Sequence, residues 1–324
     1  MRVWVQKPKN IHLLRPRILS PGALGAPGAL MVLIAATGSA SKAIFVKLCY
    51  REGIDATTAL TLRMLFSLPF FVAALVLQRR GSDRVTRRDG AAIVVLGLLG
   101  FYLSSLFDFM GLEYIGAALE RLILFTYPTF VVLLSAIFLR QRITRSVAAA
   151  LLLSYAGMGL VFAHDVGGVQ PDLWRGGALV LLSTLTYSSY LMGSGALIAR
   201  LGPQRFTSLV MLVSSAAVFV QFALTHPLAA LRVSPAVLLY GAAMAIVATV
   251  LPVYLLSAGL ARIGASRTAM LSAIGPVITI FLGVVFLGER LTPVQLVGAA
   301  LVIVGVWLAA PRPGATMPPP VSSE

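Results

Sequence analysis

Acidic residues, histidine and cysteine are all scarce in this 324-residue chain, which holds 11 Asp and Glu, three His and one Cys. The lone Cys49 cannot close an internal disulfide. With no second thiol, His12, His164 and His226 offer no metal-ligand spacing. Redox and zinc chemistry are therefore not expected. Charged residues make up only 11% of the chain, less than half of the roughly 25% typical of a soluble domain. A hydrophobic content of 58% is the opposite of the low hydrophobicity that marks disorder. A mean hydropathy of +0.92 leaves a membrane-embedded chain as the class that fits.

One helix needs roughly 20 apolar residues to cross about 30 Å of hydrocarbon. Ten apolar segments meet that need, at about 28–50, 57–77, 91–110, 116–139, 146–163, 174–198, 206–225, 236–259, 265–287 and 293–310. They run continuously apolar instead of alternating, so they read as helices and not as barrel strands. The expected fold is an all-α polytopic membrane protein of ten transmembrane helices. A net charge of +15 could point to nucleic acid, but its placement decides otherwise. With a cytoplasmic amino terminus, 18 basic residues fall in the inner segments, many of them in the 79–88 loop, and 5 fall outside. This bias predicts both termini on the cytoplasmic side of a cell (inner) membrane. No surplus remains that requires a nucleic acid. Residues 1–27 read as a cytoplasmic arm and 311–324 as a disordered cytoplasmic tail.

Self-comparison adds an internal repeat. A shift of 148 residues places Gly111-Leu112 on Gly259-Leu260, Ile115-Gly116-Ala117 on Ile263-Gly264-Ala265, Pro128 on Pro276 and Gly157 on Gly305. Two five-helix units, 28–163 and 174–310, follow. Because five is odd, the second enters the membrane from the opposite side, an arrangement common in secondary transporters.

The run Leu119–Pro128, its counterpart Ala269–Pro276, and Phe286-Leu287-Gly288-Glu289-Arg290 before a last glycine-bearing helix resemble the paired EamA-type repeats of the drug/metabolite transporter superfamily. The resemblance covers about 28–310. It implies a ten-helix transporter of small metabolites with a central cavity, both termini cytoplasmic and no cofactor. The family's acidic residue after the fourth helix matches Glu289, whereas Gln141 stands there in the first repeat, so Glu289 reads as an end-of-helix structural residue.

Pro128 and Pro276 each remove a backbone hydrogen bond from an apolar helix, freeing the carbonyls of Leu124 and Ser272 and predicting matched kinks. Ionisable residues within spans cost at least about 2.5 kcal/mol at mid-bilayer and tend to be paired or functional. Here they are Lys42, Arg63, Asp108, Glu120 and Arg121. The offset pairs them with Tyr190, Met211, Leu256, Thr268 and Ala269, so one copy of the unit does without the charge. Arg121, with Arg63 or Lys42, is expected to meet a substrate carboxylate or phosphate. Asp108 or Glu120 offers a proton site or an amine contact, while Tyr127, Tyr187 and Tyr190 supply hydrogen bonds, stacking or plain packing. Ion pairing among the charges is the competing reading.

The function expected is secondary transport, as an exporter of small metabolites such as amino acids, by alternating access and with a proton or another ion as the coupling partner. The bilayer and the substrate are the expected partners, and a homodimer stays open. The alternative is a polytopic membrane enzyme or a non-transporting membrane protein, for which no HExxH, GxSxG or P-loop pattern is present.

Overall fold

The structure, a computed structural model, describes residues 25–77, 85–138, 148–149, 152–153, 155–157, 159–160, 172–263, 268, 271–272, 274–289 and 292–309. The arm before residue 25, most of the 79–88 loop, much of the expected fifth span and the tail lie outside the described residues. Among the described residues every regular element is helical. In chain order these are α1 (Gly25–Ala40), α2 (Lys42–Arg51), α3 (Ala56–Leu77), α4 (Arg87–Gly97), α5 (Ser104–Leu112), α6 (Ala117–Leu124), α7 (Tyr127–Phe138), α8 (Leu173–Leu201), α9 (Pro203–Thr225), α10 (Pro235–Ala245), α11 (Leu251–Ile263), α12 (Gly275–Leu282) and α13 (Pro293–Ala309).

Six stretches of the described chain are long and apolar enough to cross a membrane: Pro27–Arg51, Ala56–Leu77, Arg87–Leu112, Ala117–Phe138, Pro203–Thr225 and Pro235–Gly259. Gly275–Leu287 and Pro293–Gly305 are shorter apolar helices. The 29-residue α8 has the length to cross but is diluted by Ser183, Thr184, Thr186, Ser188, Ser189 and Ser194. Those hydroxyls are not orphaned: Thr184, Thr186, Ser188 and Ser189 each donate to a carbonyl four residues back, and Ser194 to one three back. In a bilayer every backbone polar group must be satisfied internally, which is why these sequences fold as helices.

Several expected spans are not straight rods. The first breaks at Ser41, between α1 and α2. The third and eighth each contain a π-helical turn, at Leu98–Leu103 and Ile246–Val250. The fourth breaks at Phe125-Thr126, so Pro128 lies in the first turn of a new helix and not in the middle of an old one. Pro276 likewise occupies the first turn of α12. Proline costs little there, because an N–H in the first turn has no intrahelical partner anyway. The expected mid-helix kinks are in this respect corrected: they are helix starts. The helix from Gly275 ends at Leu287 where Gly288 turns left-handed at φ 69°, and the Glu289 N–H donates to the Gly283 carbonyl.

Elements recur along the chain at the 148-residue offset. Arg87–Gly97 maps onto Pro235–Ala245, and each is followed by a π-helical turn. Packing recurs too, but crosswise, with α1 against α11 and α8 against α5. A Cβ built on Gly259 would lie 2.5 Å from Val32 Cγ2 and 3.1 Å from the Gly28 carbonyl oxygen; on Gly111 the same distances run to Val180 Cγ2 and the Gly176 oxygen. Only glycine admits that backbone approach. Apolar packing of Leu60, Leu62, Met64, Phe109, Met211 and Met244 fills the centre between α3, α5, α9 and α10.

Candidate functional site

Three helix beginnings or interiors bring three of the expected ionic residues together. Lys42 opens α2 immediately after the break at Ser41. The Ala40 carbonyl at that break accepts a hydrogen bond from Thr279 Oγ1 of α12 at 3.1 Å. Asp108 lies in α5 beyond the Leu98–Leu103 turn, and Glu120 in the first turn of α6. Lys42 Nζ donates to Asp108 Oδ2 and stands 3.4 Å from Glu120 Oε1. Glu120 is wholly buried and Asp108 is 2% exposed. Among the described residues Asp108 Oδ1 and both Glu120 oxygens make no standard hydrogen bond, and the two carboxyl groups lie side by side. Two buried carboxylates thus share one ammonium. Fully ionised, the trio carries one net negative charge, offset in part by Arg121 near Glu120 and Arg63 near Asp108, in a setting where buried charge is expensive. One added proton, or one cationic group from outside the chain, makes it neutral.

The two arginines flank the trio within electrostatic reach of its carboxylates. Arg63, 5% exposed, donates through Nε to Thr249 Oγ1 at 3.1 Å and through Nη1 to Ser105 Oγ at 3.2 Å, with its guanidinium 5.6 Å from the Phe109 ring centre. Thr249 belongs to the Ile246–Val250 π-helical turn, and Ser105 follows the Leu98–Leu103 one. Arg63 therefore links the two interrupted helices. Arg121 lies over the Phe125 ring at 5.8 Å, with its Nε buried and without a hydrogen bond among the described residues. Its Nη2 sits 3.2 Å from the point a Cβ at Gly275 would take, next to Pro276. The breaks in the two proline-bearing segments consequently face each other, with Arg121 and Phe125 on one side and Gly275 on the other. At the first break Pro128 gives the Leu124 carbonyl no N–H four residues on, while the Tyr127 carbonyl accepts from Ser188 Oγ at 3.0 Å.

The three tyrosines form a continuous aromatic row. Ring centres lie 6.4 Å apart for Phe125 and Tyr127, 5.8 Å for Tyr127 and Tyr187, and 5.7 Å for Tyr187 and Tyr190. Tyr190 closes the row edge-on to Phe101 at 5.2 Å and stacked on Phe206 at 6.0 Å. These spacings fall within the 4.5–7 Å of favourable ring pairs. Gly100 makes room for Tyr190, because any Cβ there would lie 2.4 Å from its ring.

Two features escape a reading of the sequence. Glu289 Oε1 accepts from the Ala117 N–H at 2.8 Å, so an acid from the far half caps the helix that carries Glu120. The same end of the bundle opens a cavity of about 330 Å³ lined by Lys47, Tyr50, Arg51, Glu113, Leu287 and Glu289. Lys47 lies inside the first expected span, while Arg51, Glu113 and Glu289 stand at or just past helix ends.

Comparison with known proteins places this geometry in context. Residues 26–163 and again 174–310 match the EamA-like transporter family. A Bacillus subtilis (strain 168) relative, "Uncharacterized transporter YcbK", is 34% identical over 286 residues, spanning 84% of this chain and 89% of its own length. An "Uncharacterized transporter" of Archaeoglobus fulgidus is 23% identical over 76% of this chain and 86% of its own. One solved crystal structure, 19% identical, superposes with a TM-score of 0.63 over 88% of this chain and 96% of that one, a likeness of fold.

Proposed function

Because the chain belongs to the EamA-like transporter family, within the drug/metabolite transporter superfamily, and is a multi-pass membrane transport protein, we propose that it is a secondary exporter of small metabolites, such as amino acids, coupled to protons. Its two five-helix halves, 28–163 and 174–310, lie inverted in an inner membrane with both termini cytoplasmic, and they alternate access to the polar groups between them. Arg121 receives the substrate's carboxylate or phosphate at the facing helix breaks, and Tyr127 and Tyr187 line the path beside it. Asp108 and Glu120 carry the coupling proton.

The observation that carries this reading is the Lys42 ammonium shared by two adjacent buried carboxylates. Binding a proton, or the amine of a substrate, changes the charge of that trio, and Lys42 then has one carboxylate to follow instead of two. The crosswise glycine contacts and paired π-helical turns support two halves that move as matched bodies, since π-turns often mark functional sites in helices.

Reconstituted protein given an imposed pH gradient tests the proposal with a panel of amino acids, sugar phosphates, nucleobases and cationic drugs. Gradient-driven flux of one class, lost in Arg121→Ala and uncoupled from pH in Glu120→Gln, is the expected result. Flux and pH dependence unchanged in both variants would sink the assignment. Tags on the 79–88 loop and the carboxyl terminus are expected on one side of the membrane; opposite sides would end the inverted arrangement.

A further inference from the structure

The cavity at the Arg51 end of α2 stands apart from the buried trio, and its lining is electrically specific. Arg51 is committed: Nη1 donates to the Phe286 carbonyl at 3.4 Å and Nη2 to that of Leu287, tying α2 to the end of the helix that starts at Gly275. Tyr50 is committed as well, its hydroxyl donating to the Phe109 carbonyl at 2.6 Å. Glu289 caps Ala117 through Oε1, and its Oε2 lies close over Gly283. Glu113 Oε1 accepts from the Ala56 N–H at 3.1 Å, leaving Oε2 without a hydrogen bond among the described residues. Lys47 is half-buried on the cavity wall and has no hydrogen bond or contact ion pair among the described residues.

What the cavity offers, then, is one ammonium and one carboxylate oxygen, within walls whose two cations and two acids balance. A lone anion placed on Lys47 would lie beside Glu113 and Glu289. A lone amine placed on Glu113 would lie beside Lys47 and Arg51. A molecule carrying both charges satisfies each wall without such a conflict. A volume of about 330 Å³ is at the small end of the about 300–1,000 Å³ of ligand pockets. We infer that this cavity is a binding site for a small zwitterion of amino-acid size, its carboxylate on Lys47 and its ammonium on Glu113.

The position gives the site a use. Lys47 follows Lys42 by five residues on α2, and Glu113 follows Asp108 by five just past α5. At 1.5 Å per residue the cavity lies about 8 Å along each segment from the trio. The zwitterion is held at the mouth of the ionic core, as a station on the way through it. Only that use rests on the transport reading; binding itself does not.

Binding is measured on the full chain in detergent, with unfolding followed by a thiol-reactive dye that reaches the buried Cys49 as the protein opens. Glycine, L-alanine, L-serine, L-leucine and L-phenylalanine are compared with propionate and isopropylamine at equal concentration. At least one amino acid is expected to raise the midpoint by about 2–4 °C once tenfold above its Kd, with neither half-molecule matching it. Lys47→Gln and Glu113→Gln are expected to unfold near the wild-type midpoint without ligand and to lose the shift; glutamine keeps an oxygen for the Ala56 cap. Three results each overturn the inference: no amino acid shifts the midpoint, propionate or isopropylamine alone shifts it equally, or Lys47→Gln responds like wild type. A shift retained in Lys47→Gln but lost in Arg121→Ala also overturns it, and moves the bound molecule to the helix breaks while leaving the transport proposal standing.

Discussion

Two positions joined by the 148-residue offset differ in backbone as well as in chemistry: the chain breaks at Ser41 just ahead of Lys42, whereas α8 runs unbroken through Tyr190. At residue 42 the interrupted helix begins with a lysine held by two buried carboxylates. At residue 190 the counterpart is a tyrosine packed among Phe101, Tyr187 and Phe206. Glycine contacts match to 0.1 Å between the halves, yet the first half carries ions where the second carries Tyr190, Met211, Leu256, Thr268 and Ala269. The fold therefore does not need the ions. They persist in one half although removing a single partner from such a group is costly, which is the argument for their having work to do.

The sharpest way to break this comparison is Lys42→Met. Two buried carboxylates would lose their shared cation, and a loss of about 3–5 kcal/mol is expected, read as a lower yield of folded protein and a lower denaturation midpoint in detergent. The converse, Tyr190→Lys, places an ammonium where the offset supplies Leu256 and Thr268 in place of acids. It is expected to cost about 2.5–3.5 kcal/mol on insertion scales, and stability equal to wild type would mean that the second half tolerates ions as readily as the first. Gly111→Val and Gly259→Val probe what the halves share. Each overpacks a helix crossing and is expected to cost about 1–3 kcal/mol, equally in unfolding experiments; a clear inequality would show that the two crossings carry different loads. The smallest effect is expected from Tyr187→Phe, which keeps the ring row and changes stability by no more than about 0.5 kcal/mol, so any large change in transport by that variant would belong to the hydroxyl.

Hydropathy made the long helices legible, and the offset made their pairing legible, because both depend on side-chain type along a continuous run. Lys42, Asp108 and Glu120 stood out as charges with no counterpart, and the structure brings these three together. Arg63 stood out on the same grounds but spends its guanidinium on Thr249 and Ser105, since two hydroxyls within reach satisfy it and no sequence spacing reveals them. The π-helical turn at Leu98–Leu103 lies in an apolar run with no proline to announce it, whereas the one at Ile246–Val250 is followed by Pro252, which offers the Ala248 carbonyl no N–H. Pro128 and Pro276 announced a disturbance correctly. A proline is compatible with both a kinked helix and a new one, and whether the chain before it turns or continues is settled by packing against Gly275 and Ser188. The cavity was invisible for a different reason: its lining joins one helix, through Lys47, Tyr50 and Arg51, to Glu113 and to Leu287 and Glu289, which lie far apart in sequence.

The hydrogen bond from Ala117 to Glu289 joins residues 172 positions apart. During synthesis the helix bearing Glu120 and Arg121 is complete long before its cap exists, and α1 and α5 are likewise made before α11 and α8, the helices they pack against. A ribosome paused between the halves thus holds a chain whose ionic trio is complete but whose glycine faces have nothing to close upon. The order of translation makes the second half the template on which the first finishes folding.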